Sequence, residues 1–298
     1  RYLNSLKRNP RVPNALFVAG DSALNILNGE ALLSEKDRMI SNAVFGIGAK
    51  DEKKLGKGVY KNFGKGKGGF DVTSIQFAIH YMFKDATTLC KFFENVAEVT
   101  KEGGYFIGTS FNGNKIFDLL KKKEKNESVR FINPANNSII LEITKLYDDT
   151  SFADNFDSIG MPINVFQESI NNTVTEYLVN YDLFKRLMEN YGFVPLDSKE
   201  LSRINFKESS GSFKSLYDRM YNDSRKSMEI KNKFKTALDM TATERNISFL
   251  NNYFIFKKQR TVDSKAVTRT ILQKSEFQEK QIEIQEENAS KIISDTEK

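Results

Sequence analysis

The chain has 298 residues, of which 39% are hydrophobic and 28% charged, with a net charge of +6. This is ordinary globular composition, enough for one large domain or two smaller ones, and no stretch approaches the ~20 apolar residues of a membrane-spanning helix. A single cysteine, Cys90, excludes an internal disulfide framework and suits a reducing compartment, while the surplus positive charge tolerates an anionic partner without demanding one.

Arg1 to Asn9 reads as the end of a helix stopped by Pro10 and Pro13. Ala15–Ala19 is a strand candidate, with Gly20-Asp21-Ser22 at its carboxyl end, and residues 22–45 carry helical apolar spacing. Residues 46–69 form a Gly/Lys stretch without apolar period and read as a mobile loop. Phe70–Gln76 is expected to be a second, buried strand, 85–101 an amphipathic helix halted by Gly103-Gly104, and Tyr105–Thr109 a third strand. Strands alternating with helices argue for a parallel sheet. Further on, Ser138–Lys145 and Glu176–Tyr181 read as strands, 182–191 as a helix and Asn251–Lys257 as a final strand. Residues 259–298 lack Gly and Pro and are rich in charge, Gln and Ser; they are expected to form a charged helical or disordered tail outside the fold.

The segment Phe70–Phe83 holds the one histidine of the chain, His80, followed by Tyr81 and preceded by Gln76-Phe77. Open α/β sheets bind ligands at the carboxyl edge of their strands, which is where these residues fall. A buried histidine is more often a satisfied core residue, so on its own His80 reads either way. Asp21 is either a ligand acceptor or a helix N-cap, Glu176 either a solvent-facing carboxylate or a ligand acceptor, and Tyr253 either site or core. Lys54, Lys57, Lys61, Lys65 and Lys67 are interleaved with glycines but precede a strand, so they do not form a nucleotide P-loop. They read either as a basic arm for RNA phosphates or as a solvated loop. No Cys/His/carboxylate cluster has metal-ligand spacing, and no G-x-S-x-G elbow is present.

Taken together and in order, several blocks resemble the messenger-RNA cap guanine-N7 methyltransferase family, in the style of the capping enzymes of large DNA viruses. They are Arg1-Tyr2, Ala19-Gly20-Asp21-Ser22, Phe70–Phe83, Gly103-Gly104-Tyr105-Phe106-Ile107-Gly108-Thr109, Glu176-Tyr177-Leu178-Val179 and Tyr253-Phe254-Ile255-Phe256. The resemblance covers residues 1–258. It implies a Rossmann-like class I methyltransferase, α/β, with a mostly parallel seven-stranded sheet and an antiparallel C-terminal strand. The activity implied is transfer of a methyl group from S-adenosylmethionine to N7 of the terminal guanine of capped mRNA.

By the same resemblance, Asp21 and Ser22 would receive the adenine of the cofactor, and Gln76 and Phe77 would line its methionine side. His80, Tyr81, Glu176 and Tyr253 would hold the guanine, Glu176 accepting from N1 and N2. Guanine N7 is a lone-pair nucleophile without a proton to remove, so no acid or base is expected and placement can carry the catalysis. The family's acidic Gly-x-Gly-type cofactor loop would precede Arg1, which leaves the first βαβ missing from this chain. The chain therefore reads as a piece of a longer intracellular enzyme, of nucleus, viral factory or virion. Triphosphatase and guanylyltransferase domains upstream, or a stimulatory subunit, are the partners this implies. The competing expectation is a catalytically inactive, methyltransferase-like RNA-binding or regulatory subunit.

Overall fold

The computed structural model describes residues 2–9 and 11–275, and the chain divides into two units, 1–69 and 70–298. Arg1, Pro10 and 276–298, with the expectations that fall on them, lie outside the described residues.

The first unit contains helices α1 (Tyr2–Arg8), α2 (Glu35–Phe45) and α3 (Glu52–Tyr60). The expected strand Ala15–Ala19 does not form. Its surroundings offer a lone bridge between Gly20 and Leu32 rather than a ladder, and Phe17 and Val18 are left exposed; a strand needs neighbours to exist. The helix expected over 22–45 is confined to α2. Upstream of it, Asn25 and Asn28 accept from the backbone N–H groups of Asn28 and Glu30, and Gly29 is left-handed at φ 84°. Side chains that bond the nearby backbone favour turns over helix. Ser34 then caps α2 by accepting from the Asp37 amide. The Gly/Lys stretch is more ordered than its composition suggests: Asp51 caps α3, which kinks at Gly56, and the Gly64 and Gly66 amides donate to Ala43 and Val44 carbonyls at the end of α2.

The second unit begins with a parallel βαβ: β1 (Phe70–Gln76), a 3-10 turn (Ile79–Lys84), α4 (Ala86–Val99) and β2 (Thr100–Phe111). Asp85 caps α4 by accepting from Thr88, and its Leu89, Phe92, Phe93 and Val96 are buried. The chain then leaves this sheet. Helix α5 (Gly113–Leu120) leads into a four-stranded antiparallel sheet of β3 (Ser128–Ile132), β4 (Ile139–Lys145), β5 (Pro162–Gln167) and β6 (Asn172–Tyr177). Helix α6 (Tyr181–Asn190), β7 (Phe193–Pro195), α7 (Ser198–Arg203), β8 (Ser210–Ser212), α8 (Phe213–Ser224), α9 (Met228–Phe234) and α10 (Ala242–Ser248) follow, before β9 (Asn251–Lys258) returns. β9 runs antiparallel between β2 on one side and β7 and β8 on the other.

The fold is therefore α/β with a mixed sheet, and its last strand is antiparallel as expected. Among the described residues this sheet has five strands and one parallel pair, β1 with β2, in place of a mostly parallel seven-stranded one. β1 has β2 as its ladder partner there, so Val72 is 49% exposed and the expectation of a buried strand is corrected. Gly108 is required in β2: a Cβ there would lie 2.3 Å from the Ile75 carbonyl oxygen and 2.4 Å from the Phe254 ring. The core centres on Phe184 of α6, fully buried and in ring contact with Phe83, Phe93, Phe106, Phe254 and Phe256.

The tail expectation also needs correction. Residues 264–275 form a further helix, α11. Its Ile271 is buried in the core with Val267 and Leu272 packed alongside, and Thr268 shares a 2.9 Å hydrogen bond with the buried hydroxyl of Tyr191. Apolar residues at i, i+4 and i+5 give α11 one packed face. Deleting residues 260–298 should thus lower unfolding stability by about 2–4 kcal/mol, from lost apolar burial and an unsatisfied Tyr191 hydroxyl. Urea denaturation measures this, and an unchanged midpoint would show that α11 contributes nothing to the fold.

Candidate functional site

The two sheets of the second unit deliver a carboxylate and an imidazole to one another. In β6, alternation places Val174 and Glu176 on the same face, and their partners on β5, Val165 and Ile163, are core residues. Glu176 is thereby directed inward. His80 comes from the 3-10 turn after β1, which Ile79 and Phe83, both fully buried, anchor in the core. His80 Nε2 lies 3.5 Å from Glu176 Oε1, with the two side chains 6% and 13% exposed. The Tyr81 ring meets the imidazole edge-on at 4.3 Å between centroids and is itself 39% exposed.

Although close, these two groups are not an ion pair at neutral pH. Burial depresses the His80 pKa to about 4 and pushes Glu176 up to about 7; in each case the cause is loss of solvation of the charged form. His80 Nδ1, His80 Nε2 and Glu176 Oε2 are buried and lack any hydrogen-bond partner. Three orphaned polar atoms in one place are costly unless something binds there. Such a cluster can accept hydrogen bonds through the carboxylate and both donate and accept through a neutral imidazole.

A second group of residues lies across the main sheet. Gln76 of β1 pairs with Thr109 of β2, Thr109 with Tyr253 of β9, and Tyr253 with Gly211 of β8, so the four occupy one row. The Gln76 amide is held at both ends: Thr109 donates to its Oε1 and its Nε2 donates to Ser74, each at 2.9 Å. Phe77 follows with a left-handed φ of 51° and a 54% exposed ring. Left-handed backbone at a bulky residue is strained and concentrates at functional sites. Tyr253 is buried and its hydroxyl donates to the Glu208 carbonyl at 3.1 Å; Gly211 makes room for it, since a Cβ there would lie 2.7 Å from that hydroxyl.

Of the residues expected from sequence, His80, Tyr81 and Glu176 thus form one cluster and Gln76 and Tyr253 one row. No hydrogen bond or ring contact joins Tyr253 to the His80 cluster among the described residues. Asp21 and Ser22 belong to the first unit, where Asp21 is exposed and caps a turn, its Oδ1 accepting from Ala23 at 2.9 Å; the helix of the N-cap alternative starts at Glu35. Lys54, Lys57, Lys61, Lys65 and Lys67 are all exposed in that same unit. Among the described residues no group of His, Cys, Asp and Glu could hold a metal ion. Ser74, Thr109 and Gly211 were not singled out from sequence. Thr109 stands at the end of the Gly103–Thr109 block, and only the register of β1 with β2 sets it beside Gln76.

The family model for the mRNA (guanine-N(7))-methyltransferase domain matches residues 1–259. A probable mRNA-capping enzyme of Acanthamoeba polyphaga mimivirus is 29% identical over 222 residues, covering 68% of this chain and 18% of that protein. An mRNA cap guanine-N(7) methyltransferase of Aspergillus niger is 32% identical over 132 residues, covering 42% of this chain and 19% of that protein. The chain thus matches less than a fifth of the length of either relative. An S-adenosylmethionine-dependent methyltransferase from Clostridium acetobutylicum, a solved structure, covers 43% of this chain and 49% of its own at 17% identity and a TM-score of 0.30, too slight a likeness to carry an argument.

The two buried groups make opposite contributions to stability as pH changes. Glu176, raised from 4.5 to about 7, contributes stability that is full below pH 4.5 and lost as pH rises through 7. His80, lowered from 6.5 to about 4, contributes stability that is full above 6.5 and lost as pH falls through 4. Each amounts to about 3 kcal/mol. Glu176→Gln should therefore lose stability on acidification from pH 6.5 to 4, and His80→Phe on alkalinisation from 4.5 to 7, whereas in the wild type the two trends oppose. Urea unfolding across this range measures both, and a flat Glu176→Gln profile would contradict a buried neutral imidazole.

Proposed function

The chain belongs to the mRNA (guanine-N(7))-methyltransferase domain family, and from this premise we propose that it methylates N7 of the guanine that caps mRNA, using S-adenosylmethionine. The observation that carries the reading is the buried cluster of His80 and Glu176, with three polar atoms lacking partners, beside the half-open ring of Tyr81. The Watson–Crick edge of guanine presents N1–H and N2–H donors. Glu176 is an acceptor suited to both, His80 supplies a neutral partner, and Tyr81 offers a ring face or edge to the base. We assign Tyr253 to the same guanine site.

Gln76 and Phe77 fit the methionine side of S-adenosylmethionine: a fixed amide and an exposed ring provide one polar and one apolar contact at the carboxyl end of β1. Asp21 and the Ser22 amide are assigned to its adenine. When bound, the cofactor supplies an activated methyl group on a sulfonium. The protein's own contribution is to place guanine N7 in line with that methyl and to exclude water, for which the chain needs no base. Glu176 adds an electrostatic gain. As the purine acquires positive charge on methylation, its N1–H becomes a stronger donor to the carboxylate, so the interaction is greater in the transition state than in the ground state.

Residues 1–258 form the methyltransferase domain in this reading, and the capped 5′ end of mRNA is its substrate. The exposed Lys54, Lys57, Lys61, Lys65 and Lys67 are proposed contacts to RNA phosphates. Triphosphatase and guanylyltransferase domains, or a stimulatory subunit, are proposed partners; the mimivirus relative is a probable mRNA-capping enzyme. No finding favours the inactive-subunit alternative.

Incubating the full-length protein with labelled S-adenosylmethionine and GpppA-capped RNA should place label on guanine N7, and no transfer would contradict the reading. Glu176→Gln should weaken cap affinity roughly 10–100-fold, the scale of hydrogen bonds to a charged acceptor, while leaving cofactor affinity unchanged. Wild-type cap affinity should rise through pH about 7 as Glu176 ionises. His80→Ala should likewise act on cap rather than cofactor binding; lost cofactor affinity with cap affinity intact would overturn the assignment.

A further inference from the structure

Helix α8 starts at the row that holds Gln76 and Tyr253. Gly211 of that row lies two residues before Phe213, the first residue of α8, and Ser212 between them caps the helix by accepting from Ser215. The Phe213 ring meets Phe77 edge-on, 6.0 Å between centroids. From this anchor the helix carries Tyr217 and Tyr221, four residues apart and therefore on one face. Their rings are near-parallel, at 19° and 6.5 Å between centroids. Tyr217 is fixed by an edge contact with Phe249 at 5.6 Å, whereas Tyr221 is 50% exposed. Along the helix, Tyr221 lies about 12 Å from Phe213.

Charge accompanies the rings. Between Arg203 and Lys235 there are nine basic residues and four acidic ones, in a chain whose whole surplus is six. The acidic residues are largely matched: Asp218 by Lys214, Asp223 by Arg219 and Lys226, and Glu229 by Lys233. Arg225, Lys231 and Lys235 are exposed, with no ion-pair partner among the described residues. An exposed tyrosine with Arg225 one turn further along, followed by uncompensated cations on and just after α9, is the chemistry that holds single-stranded nucleic acid: bases stack on rings while phosphates meet the cations.

We propose that the Tyr217–Tyr221 face of α8, with Arg225, Lys231 and Lys235, binds the first transcribed nucleotides of the RNA beyond the cap as a single strand. This rests on the cap-methylation reading for the identity of the RNA, but the contact itself is independent of the cap. Tyr221 supplies the stacking surface and the three cations supply phosphate contacts. The substrate is then gripped in two places, at its guanine and along its body, and the second grip favours an RNA strand over a free cap nucleotide.

The test compares three probes on the full chain: the GpppA dinucleotide, a GpppA-capped RNA of about eight nucleotides, and the same RNA uncapped. Wild type should bind the capped RNA more tightly than the dinucleotide. Tyr221→Ala should weaken both RNAs roughly tenfold, within the range of one base–aromatic stack, and leave the dinucleotide unchanged, while Tyr221→Phe keeps the affinity. Lys231→Ala/Lys235→Ala should reduce the salt dependence of RNA binding by about two phosphate contacts. Equal wild-type affinity for dinucleotide and capped RNA, or RNA affinity that Tyr221→Ala leaves unaltered, would overturn the proposal and leave this face to a protein partner. Equal loss on all three probes would overturn it as well, indicating general disturbance of the fold. Failure of the cap reading shows separately, as a dinucleotide that wild type does not bind while the uncapped RNA still loses affinity in Tyr221→Ala.

Discussion

Burying a carboxyl group beside an imidazole that stays neutral is the constraint on which the site depends. One carboxyl oxygen, Glu176 Oε2, and both ring nitrogens leave water without partners, and the 3.5 Å contact between the two side chains is too long to repay that. The fold tolerates the cost because both groups ride on elements fixed for other reasons. Glu176 occupies an inward position of β6, set by the same alternation that buries Val165 and Ile163 on β5. His80 sits between Ile79 and Phe83, and Phe83 is held against Phe184 at the centre of the aromatic core. The result is a preorganised polar cluster whose unmet hydrogen bonds are available to a ligand.

The same logic explains the division of labour between the two sheets. The mixed sheet ends β1 in Gln76 and Phe77 and sets Gln76, Thr109 and Tyr253 in one register. The antiparallel sheet adds one residue to the site, Glu176, but it adds the acceptor. Helix α8 then departs from Phe77 through Phe213. One short stretch of surface thus offers an amide, a strained aromatic residue and a stepped pair of tyrosines. In the proposed reaction the amide and the strained ring face the cofactor and the tyrosine pair faces the RNA body.

Much of this was legible in the sequence. Phe70–Gln76, Tyr105–Thr109 and Asn251–Lys257 are strands in the structure, within wider bounds for the latter two, because apolar β-branched and aromatic runs, the first two entered from glycine pairs, specify strands locally. The His80-Tyr81 pair with Glu176 was legible only through family resemblance, since ninety-six positions separate the two acidic and imidazole groups and no local pattern links them. Glu176 did carry one readable sign: Val174, Glu176 and Leu178 share one alternating face, which points the carboxylate inward. What was not legible depends on tertiary partners. Ala15–Ala19 has strand composition without a ladder, and residues 264–275 have the composition of a tail yet present Ile271 and Thr268 to the core. Strands as short as β7 and β8, three residues each, exist because β9 offers them an edge, not because of their own residues.

The central claim is that Glu176 accepts hydrogen bonds from the guanine N1 and N2 positions. Inosine lacks only the N2 amino group, so binding of GpppA and IpppA to wild type and to Glu176→Gln forms a thermodynamic cycle that isolates that contact. The account predicts that wild type prefers GpppA by about tenfold, the scale of one hydrogen bond to a charged acceptor, and that the preference collapses in Glu176→Gln. A guanosine preference that survives unchanged in the variant would contradict it.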